Sequence, residues 1–209
     1  MSKHTDNAHL GAKLALRRHF LSRFHSEKPP RVLDCFQGSG VIWSRLRGEF
    51  AIGGYWGVDL KPKKGRLKIE SSRILEQHGW NQNVVDLDAY GSPWGHWLHL
   101  LRTCDHDVTV FLTFGIVSMH GFKLDAAMNS MLGTHFNRVA IPCSMGRRVA
   151  EIAVPYCLRA AESYGFEVVE AAEGFPQKNA RYLGVHLRRL QTQAQVSSGN
   201  SVVQVVDGR

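Results

Sequence analysis

The sequence predicts a single-domain α/β protein with a doubly wound, mostly parallel sheet of seven strands that ends in an antiparallel hairpin. Short apolar runs alternate along the chain with segments of helical periodicity, and most runs are apolar almost throughout, as strands covered on both faces are. A length of 209 residues suits one domain, and contents of 44% hydrophobic and 21% charged residues argue against wholesale disorder and against membrane spans.

Residues 1–30 are predicted to form a basic N-terminal helical segment, with a helix from about residue 7 to 24. Its apolar residues recur on one stripe: Leu10, Leu14, Leu21 and Phe24. Its basic residues are expected elsewhere on the helix surface: Lys13, Arg17 and Arg18. Residues 1–80 carry 15 Lys and Arg against 7 Asp and Glu, whereas residues 81–209 carry 11 of each. This asymmetry predicts a polyanionic partner such as nucleic acid, the alternative being a basic surface that only maintains solubility.

The remaining elements are predicted in order from apolar runs and turn residues. Strands are expected at residues 31–36, 55–60, 66–71, 83–90 and 107–116, with helices at 41–48, 72–80 and 93–104. Glycines and a proline interrupt residues 117–148, which predicts an irregular or partly helical insertion. A helix at 149–165 precedes two closing strands, 166–174 and 180–190. The main domain then spans residues 31–190, and the Gln-, Ser- and Gly-rich residues 191–209 are expected to be a flexible tail.

Candidate ligand-binding residues follow the first two strands, where open parallel sheets bind their ligands. In VLDCFQGSG, Asp34 ends the first strand, and Gly38 and Gly40 permit a turn in which backbone approaches a ligand closely. In GVDLK, Asp59 ends the second strand and is placed to accept hydrogen bonds from the hydroxyls of a ribose. Ordinary helix capping or turn formation is the alternative role for both acids.

The fourth strand ends in VVDLDAYGSPW, which places Asp86 and Asp88 at the end of an apolar run and Tyr90 just beyond. The DCFQGSG stretch resembles motif I of class I S-adenosylmethionine methyltransferases. The DLDAYGSP stretch is similar to the D-x-D-P-[FY]-G-S-P motif of tRNA guanine-N2 methyltransferases. This resemblance covers roughly residues 31–116. The alternative is that the two acids finish a strand and cap the helix that begins near Pro93.

The resemblance implies a Rossmann-like methyltransferase fold and an enzyme that methylates an exocyclic amino group of a nucleic acid base, with RNA and a tRNA-like guanine preferred. Asp88 matches the catalytic acid and Tyr90 its aromatic partner, which would stack on the base. The implied contacts of S-adenosyl-L-methionine are Asp34, Phe36, Gly38, Gly40, Asp59, Leu60, Ser72 and Asp86. Two alternatives remain: a DNA adenine-N6 or cytosine-N4 methyltransferase, and an inactive subunit that binds cofactor and nucleic acid. Ala89, which replaces the family's proline, favours the inactive subunit.

The cysteines and histidines give no sign of a disulfide framework or a metal centre. The four cysteines form no CxxC pair, and the 11 histidines have no spacing typical of a metal site. Reduced thiols and the absence of a secretory signal at the start of the chain predict a cytoplasmic protein.

Overall fold

The computed structural model describes residues 9–62, 67–89, 91–115, 122–123, 140–141, 154–174 and 180–190. Its helices are α1 (Leu10–Phe24), α2 (Val41–Leu46), α3 (Ser71–Leu75), α4 (Trp94–Thr103) and α5 (residues 154–163). Its strands are β1 (Arg31–Asp34), β2 (Gly54–Asp59), β3 (Leu67–Lys68), β4 (Val84–Leu87), β5 (Val108–Gly115), β6 (Phe122–Lys123), β7 (Ala140–Ile141), β8 (Phe166–Gly174) and β9 (Ala180–Arg189). Among the described helices, none combines the length and the hydropathy that crossing a bilayer requires.

Seven strands form one sheet in the order β3-β2-β1-β4-β5-β9-β8. Strands β1 to β5 pair in parallel, whereas β9 runs antiparallel to both β5 and β8. The predicted fold class, including the antiparallel C-terminal hairpin, is confirmed. The short strands β6 and β7 pair with each other, a strand pairing that the prediction of an irregular or partly helical insertion did not include. The rest of that insertion and the predicted tail lie outside the described residues.

Helices cover both faces of the sheet and produce two apolar cores. On one face, α1 and α2 pack on Val32, Val84 and Phe111. On the other face, α3, α4 and α5 pack on side chains such as Leu33 and Val85. Successive residues of a strand point to opposite faces, so β1 and β4 each contribute to both cores.

Helix α1 lies close against the C-terminal hairpin. Phe20 is fully buried, and a Cβ atom on Gly184 of β9 would come within 2.5 Å of its ring. Glycine therefore permits the approach of helix and strand at this point. Contrary to the sequence prediction, Lys13 and Arg17 do not lie on an exposed face of α1 but are 5% and 2% exposed.

Candidate functional site

The acids predicted to bind ligand meet at the edge of the sheet where the parallel strands end. Asp34 of β1 pairs in register with Asp86 of β4 on one side and with Gly57 of β2 on the other. Asp59 is the last residue of β2, and Asp88 follows the last residue of β4 directly. Because parallel strands end on the same edge, residues separated by more than 50 positions along the chain become neighbours.

The glycine turn after β1 is fastened to the end of β2. Gly38 adopts a φ of 48° and donates its N–H to Oδ2 of Asp59 at 2.9 Å. Gly40 adopts a φ of 67° and is the N-cap residue that precedes α2. Both values lie in the left-handed region that favours glycine, so the turn requires these residues. Oδ1 of Asp59 accepts the backbone N–H of Lys61 at 2.7 Å, which orients the carboxylate beside the turn.

Asp34 is buried, with 4% of its surface exposed, and accepts a hydrogen bond from the hydroxyl of Tyr55 at 2.7 Å. Burial and the adjacent charge of Asp86 raise the pKa of Asp34 to about 8, although Tyr55 and Arg17 act in the opposite direction. At neutral pH, Asp34 is therefore largely protonated. Its predicted contact with a cofactor stays a prediction.

Asp86 anchors helix α1. Arg17 donates from Nε and from a terminal nitrogen to the two carboxylate oxygens at 2.8 and 2.6 Å, and Nε1 of Trp43 donates to Oδ2 at 2.7 Å. The side chains of Arg17 and Asp86 are 2% and 1% exposed. These three bonds and this burial attach α1 and α2 to the end of β4. The contact with the cofactor that the sequence predicted for Asp86 stays a prediction.

Asp88 is held by α1 and by β5. Nζ of Lys13 lies 2.7 and 2.6 Å from its two oxygens, and the hydroxyl of Thr113 donates to Oδ1 at 2.6 Å. Burial alone would raise the pKa of Asp88, but the charges of Lys13 and Arg17 and the bonds from Lys13 and Thr113 outweigh it and lower the pKa. The Asp88 side chain retains 16% exposure, so a ligand has access to it.

The other predicted site residues surround this edge. Phe36 is partly buried and meets the ring of His96 edge to face at 4.8 Å. Leu60 follows Asp59 and is 56% exposed, which leaves an apolar surface beside the predicted ribose site. Ser72 is half-buried in α3. Tyr90 lies outside the described residues, so its predicted stacking on a base stays a prediction.

A cavity opens on the α2 side of the glycine turn. It encloses about 290 Å³ and is lined by Gln37, Ser39, Gly40, Val41, Ser44, Arg45, Arg47 and Tyr55. The guanidinium of Arg47 lies 4.6 Å from the centre of the Tyr55 ring, whose hydroxyl reaches Asp34. Two arginines, Arg45 and Arg47, thus line the cavity beside the turn.

Sequence reasoning missed the partners of Asp86 and Asp88, which lie on α1, α2 and β5: Lys13, Arg17, Trp43 and Thr113. One signal was present in the sequence. Lys13 and Arg17 are four residues apart and next to buried leucines, so they share the apolar face of α1. Cations on such a face indicate buried acidic partners.

No protein-family model matches this sequence, and a search of curated proteins gives no match, whereas solved structures do resemble it. Trm1 from Pyrococcus horikoshii, in complex with S-adenosyl-L-methionine, superposes with a TM-score of 0.57 and 18% identity over 87% of this chain. The chain has the Rossmann-like fold of S-adenosylmethionine-dependent methyltransferases. It spans 55% of the length of that Trm1 chain.

Two further solved structures resemble this chain in fold. The plantazolicin methyltransferase BamL, solved with a desmethylPZN analogue and SAH, gives a TM-score of 0.54 at 13% identity and covers 88% of this chain and 87% of its own. A putative hemolysin from Lactococcus lactis gives 0.55 at 13% identity and covers 95% of this chain and 100% of its own. These three proteins have different names, so the shared fold does not identify the substrate of this chain.

Proposed function

We propose that this protein is an S-adenosylmethionine-dependent N-methyltransferase that acts on an exocyclic amino group of a nucleic acid base, with RNA guanine as the preferred target. The observation that carries the proposal is the position of Asp88, a partly exposed carboxylate just after β4, the strand that pairs with β1 at Asp34. The motif resemblance of residues 86–93 supports the choice of guanine in RNA.

The residues at the sheet edge fit the proposed cofactor. Asp59 lies beside the glycine turn, where its oxygens are suited to ribose hydroxyls, and the exposed Leu60 offers an apolar surface for adenine. The left-handed Gly38 and Gly40 carry no side chain that would block close approach to their backbone. Asp34 is the last residue of β1, and its carboxylate, when ionised, suits the cationic part of the cofactor. The other predicted contacts of the cofactor are Phe36, Ser72 and Asp86.

When bound, S-adenosylmethionine would supply an electrophilic methyl group that leaves its sulfur without the bonding electron pair and joins the amine nitrogen. An exocyclic amine is a poor nucleophile because its lone pair is delocalised into the base. Asp88 would accept one of its N–H groups and draw the nitrogen toward a pyramidal geometry, in which the lone pair is available. The nitrogen then loses one proton. Because the pKa of Asp88 is low, we assign it orientation of the amine and assign the proton to solvent.

A nucleic acid substrate is supported by charge. The net charge of +8 belongs entirely to residues 1–80, which include Arg45 and Arg47 at the cavity beside the turn. Arginines in this position suit the phosphates that flank a target nucleotide. A base would have to leave its stack to reach Asp88, and Tyr90 is the proposed stacking partner for it.

Binding of the cofactor is the first test, by titration calorimetry with S-adenosylmethionine and by thermal unfolding. We expect heat of binding and a raised melting temperature at saturating cofactor. Absence of both would remove the enzyme interpretation and the cofactor-binding alternative together.

Transfer is the second test. The protein is incubated with S-adenosylmethionine labelled on its methyl group and with total RNA or genomic DNA, and the nucleosides are analysed by mass spectrometry. We expect labelled N-methylguanosine from RNA. Labelled adenine or cytosine from DNA would favour the DNA alternative, and cofactor binding without transfer to either pool would favour an inactive subunit, the alternative that Ala89 suggests.

Asp88→Asn is the matching variant, because alanine would leave the buried cation of Lys13 unpaired. Asparagine keeps an oxygen for Lys13 and the volume of the side chain but loses the charge. We expect transfer to fall by roughly 100-fold or more, since electrostatic groups at the reacting atom commonly contribute this much. Unchanged transfer by the folded variant would show that Asp88 has no role in the chemistry.

A further inference from the structure

We propose that Lys13 of the N-terminal helix is a positioning residue for the reaction, because it fixes the Asp88 carboxylate and leaves it one oxygen site for the substrate amine. The inference rests on the proposed function and adds to it a helix that precedes the methyltransferase motifs. Lys13 lies outside the region of motif resemblance, which begins at residue 31.

The hydrogen bonds on Asp88 define how many positions remain for a substrate. Oδ1 accepts Lys13 at 2.7 Å and Thr113 at 2.6 Å, and Oδ2 accepts Lys13 at 2.6 Å. A carboxylate has about four acceptor positions, two on each oxygen. Counting only bonds from the residues that the structure describes, Oδ1 is full and Oδ2 has one position left. The one remaining acceptor position on Oδ2 can accept a hydrogen bond from a single N–H of the substrate amine.

Lys13 is itself held in place. Its side chain is 6% exposed, and Nζ lies 5.0 Å from the centre of the Tyr182 ring on β9, a distance at which a cation and an aromatic ring attract each other. One turn further along α1, Arg17 donates to the backbone carbonyl of Lys13 at 3.0 Å and to the buried Asp86. A flexible lysine thus becomes a fixed donor.

The charges around Asp88 come from three elements. Lys13 and Arg17 face it from α1, Asp86 adjoins it on β4, and Asp34 faces it from β1. Burial opposes ionisation of Asp88, whereas the two cations favour it. Lys13 lies closest to Asp88, contacts both of its oxygens and is the largest of the influences that lower its pKa, ahead of Arg17. Asp88 then orients an amine and does not take up its proton.

The test replaces Lys13 and measures the titration of Asp88 as well as methyl transfer. Lys13→Gln keeps an N–H donor and removes the charge. Carbon NMR of the aspartate carboxyl groups, with Asp88→Asn used for assignment, should show Asp88 titrating at a higher pH in this variant. The rate constant kcat should fall roughly 100-fold, as misplacement of a reacting group commonly causes. The affinity for S-adenosylmethionine, measured by calorimetry, should change far less than kcat.

Two further variants separate charge from folding. Lys13→Arg restores the cation and should return the titration of Asp88 to low pH with partial recovery of kcat. Lys28→Met removes an exposed lysine just after α1 and should leave both quantities unchanged. If Lys13→Gln does not fold, Lys13→Arg carries the test by itself, and a raised Asp88 titration in that variant would contradict the proposal.

A folded Lys13→Gln variant in which Asp88 titrates as in the unaltered protein would overturn the inference, as would a loss of activity caused wholly by weaker cofactor binding. Failure of the proposed function looks different. In that case Asp88 still titrates at a higher pH in Lys13→Gln, but the unaltered protein transfers no methyl group to RNA or DNA. The pair of Lys13 and Asp88 would then have no role in catalysis.

Discussion

Three carboxylates lie beneath α1 at the end of the parallel strands, and within the described part of the chain two cations pair with two of them. Arg17 pairs with Asp86 and Lys13 with Asp88. Asp34 has a tyrosine hydroxyl as its partner and a pKa raised to about 8. Two cations and two ionised acids make the cluster neutral while Asp34 keeps its proton. This balance avoids the cost of leaving a buried charge uncompensated.

The raised pKa of Asp34 predicts a pH-dependent affinity for a cationic ligand. Such a ligand favours the ionised carboxylate, so binding below the pKa of about 8 must release the proton of Asp34. We expect the affinity for S-adenosylmethionine to rise as the pH approaches this value. Calorimetry in two buffers of different ionisation enthalpy measures the protons released on binding.

Asp34→Asn should bind cofactor without this proton release. Asp105→Asn is the matched control, because the side chain of Asp105 is 79% exposed and lies at the opposite end of β5 from Asp88. Equal proton release by Asp34→Asn and the unaltered protein would refute the contact between Asp34 and the cofactor.

At the scale of elements, α1 connects the two kinds of strand in the sheet. Its cations reach the acids of the parallel strand β4, while Phe20 packs against Gly184 of the antiparallel strand β9. Its last turn lies near the opposite edge of the sheet, where Phe24 stacks on His186 at 3.9 Å. The helix therefore crosses the sheet, and its ion pairs lie at the end that carries the candidate site.

The two consecutive arginines of α1 offer a matched test of this attachment. Arg17→Met breaks a buried pair and leaves Asp86 uncompensated, which typically costs about 3–5 kcal/mol of unfolding free energy. Arg18→Met breaks an exposed pair with Glu49, for which the cost is about 0–1 kcal/mol. Urea unfolding followed by circular dichroism measures both. Equal losses in the two variants would mean that the Arg17 pair does not anchor α1.

At the scale of the whole molecule, a chain of polar contacts joins the end of α1 to the centre of the sheet. His25 lies 2.8 Å from the hydroxyl of Thr109 in β5, which lies 2.8 Å from Nδ1 of His186 in β9. Burial, and then the neighbouring His186, lower the pKa of His25 to about 4. Burial also lowers the pKa of His186. Both rings are therefore neutral in the folded protein at pH values where an unfolded histidine takes up a proton.

These lowered pKa values predict that stability falls with acidity. Between a pH of about 6.5 and about 4, the unfolded chain binds a proton at His25 that the folded chain does not, so the free energy of unfolding decreases as the pH drops. Chemical unfolding at a series of pH values should give a shallower dependence for His25→Gln than for the unaltered protein. His78→Gln, at an exposed histidine, should keep the full dependence. A His25→Gln curve parallel to that of the unaltered protein would contradict this origin.

The order of helices and strands depends on residues that are close together in the sequence. The sequence analysis therefore predicted that order closely. The closing strand 166–174 has the predicted bounds, and the predicted strand 31–36 ends earlier, at Asp34. Apolar runs and glycine turns carry this information because periodicity depends on near neighbours. The same reasoning placed Asp34, Asp59 and Asp88 at strand ends, since a parallel sheet collects those ends on one edge.

What the sequence by itself determined is therefore the fold class and the edge at which the acids gather. Tertiary structure alone decided which acids remain accessible, because the cations that pair with Asp86 and Asp88 lie 69 and 75 positions away along the chain. Lysine and arginine are rarely buried, so a sequence pattern assigns them to solvent. Lys13 and Arg17 depart from that rule because packing of α1 on β9 brings them over carboxylates that would otherwise be buried without charge compensation.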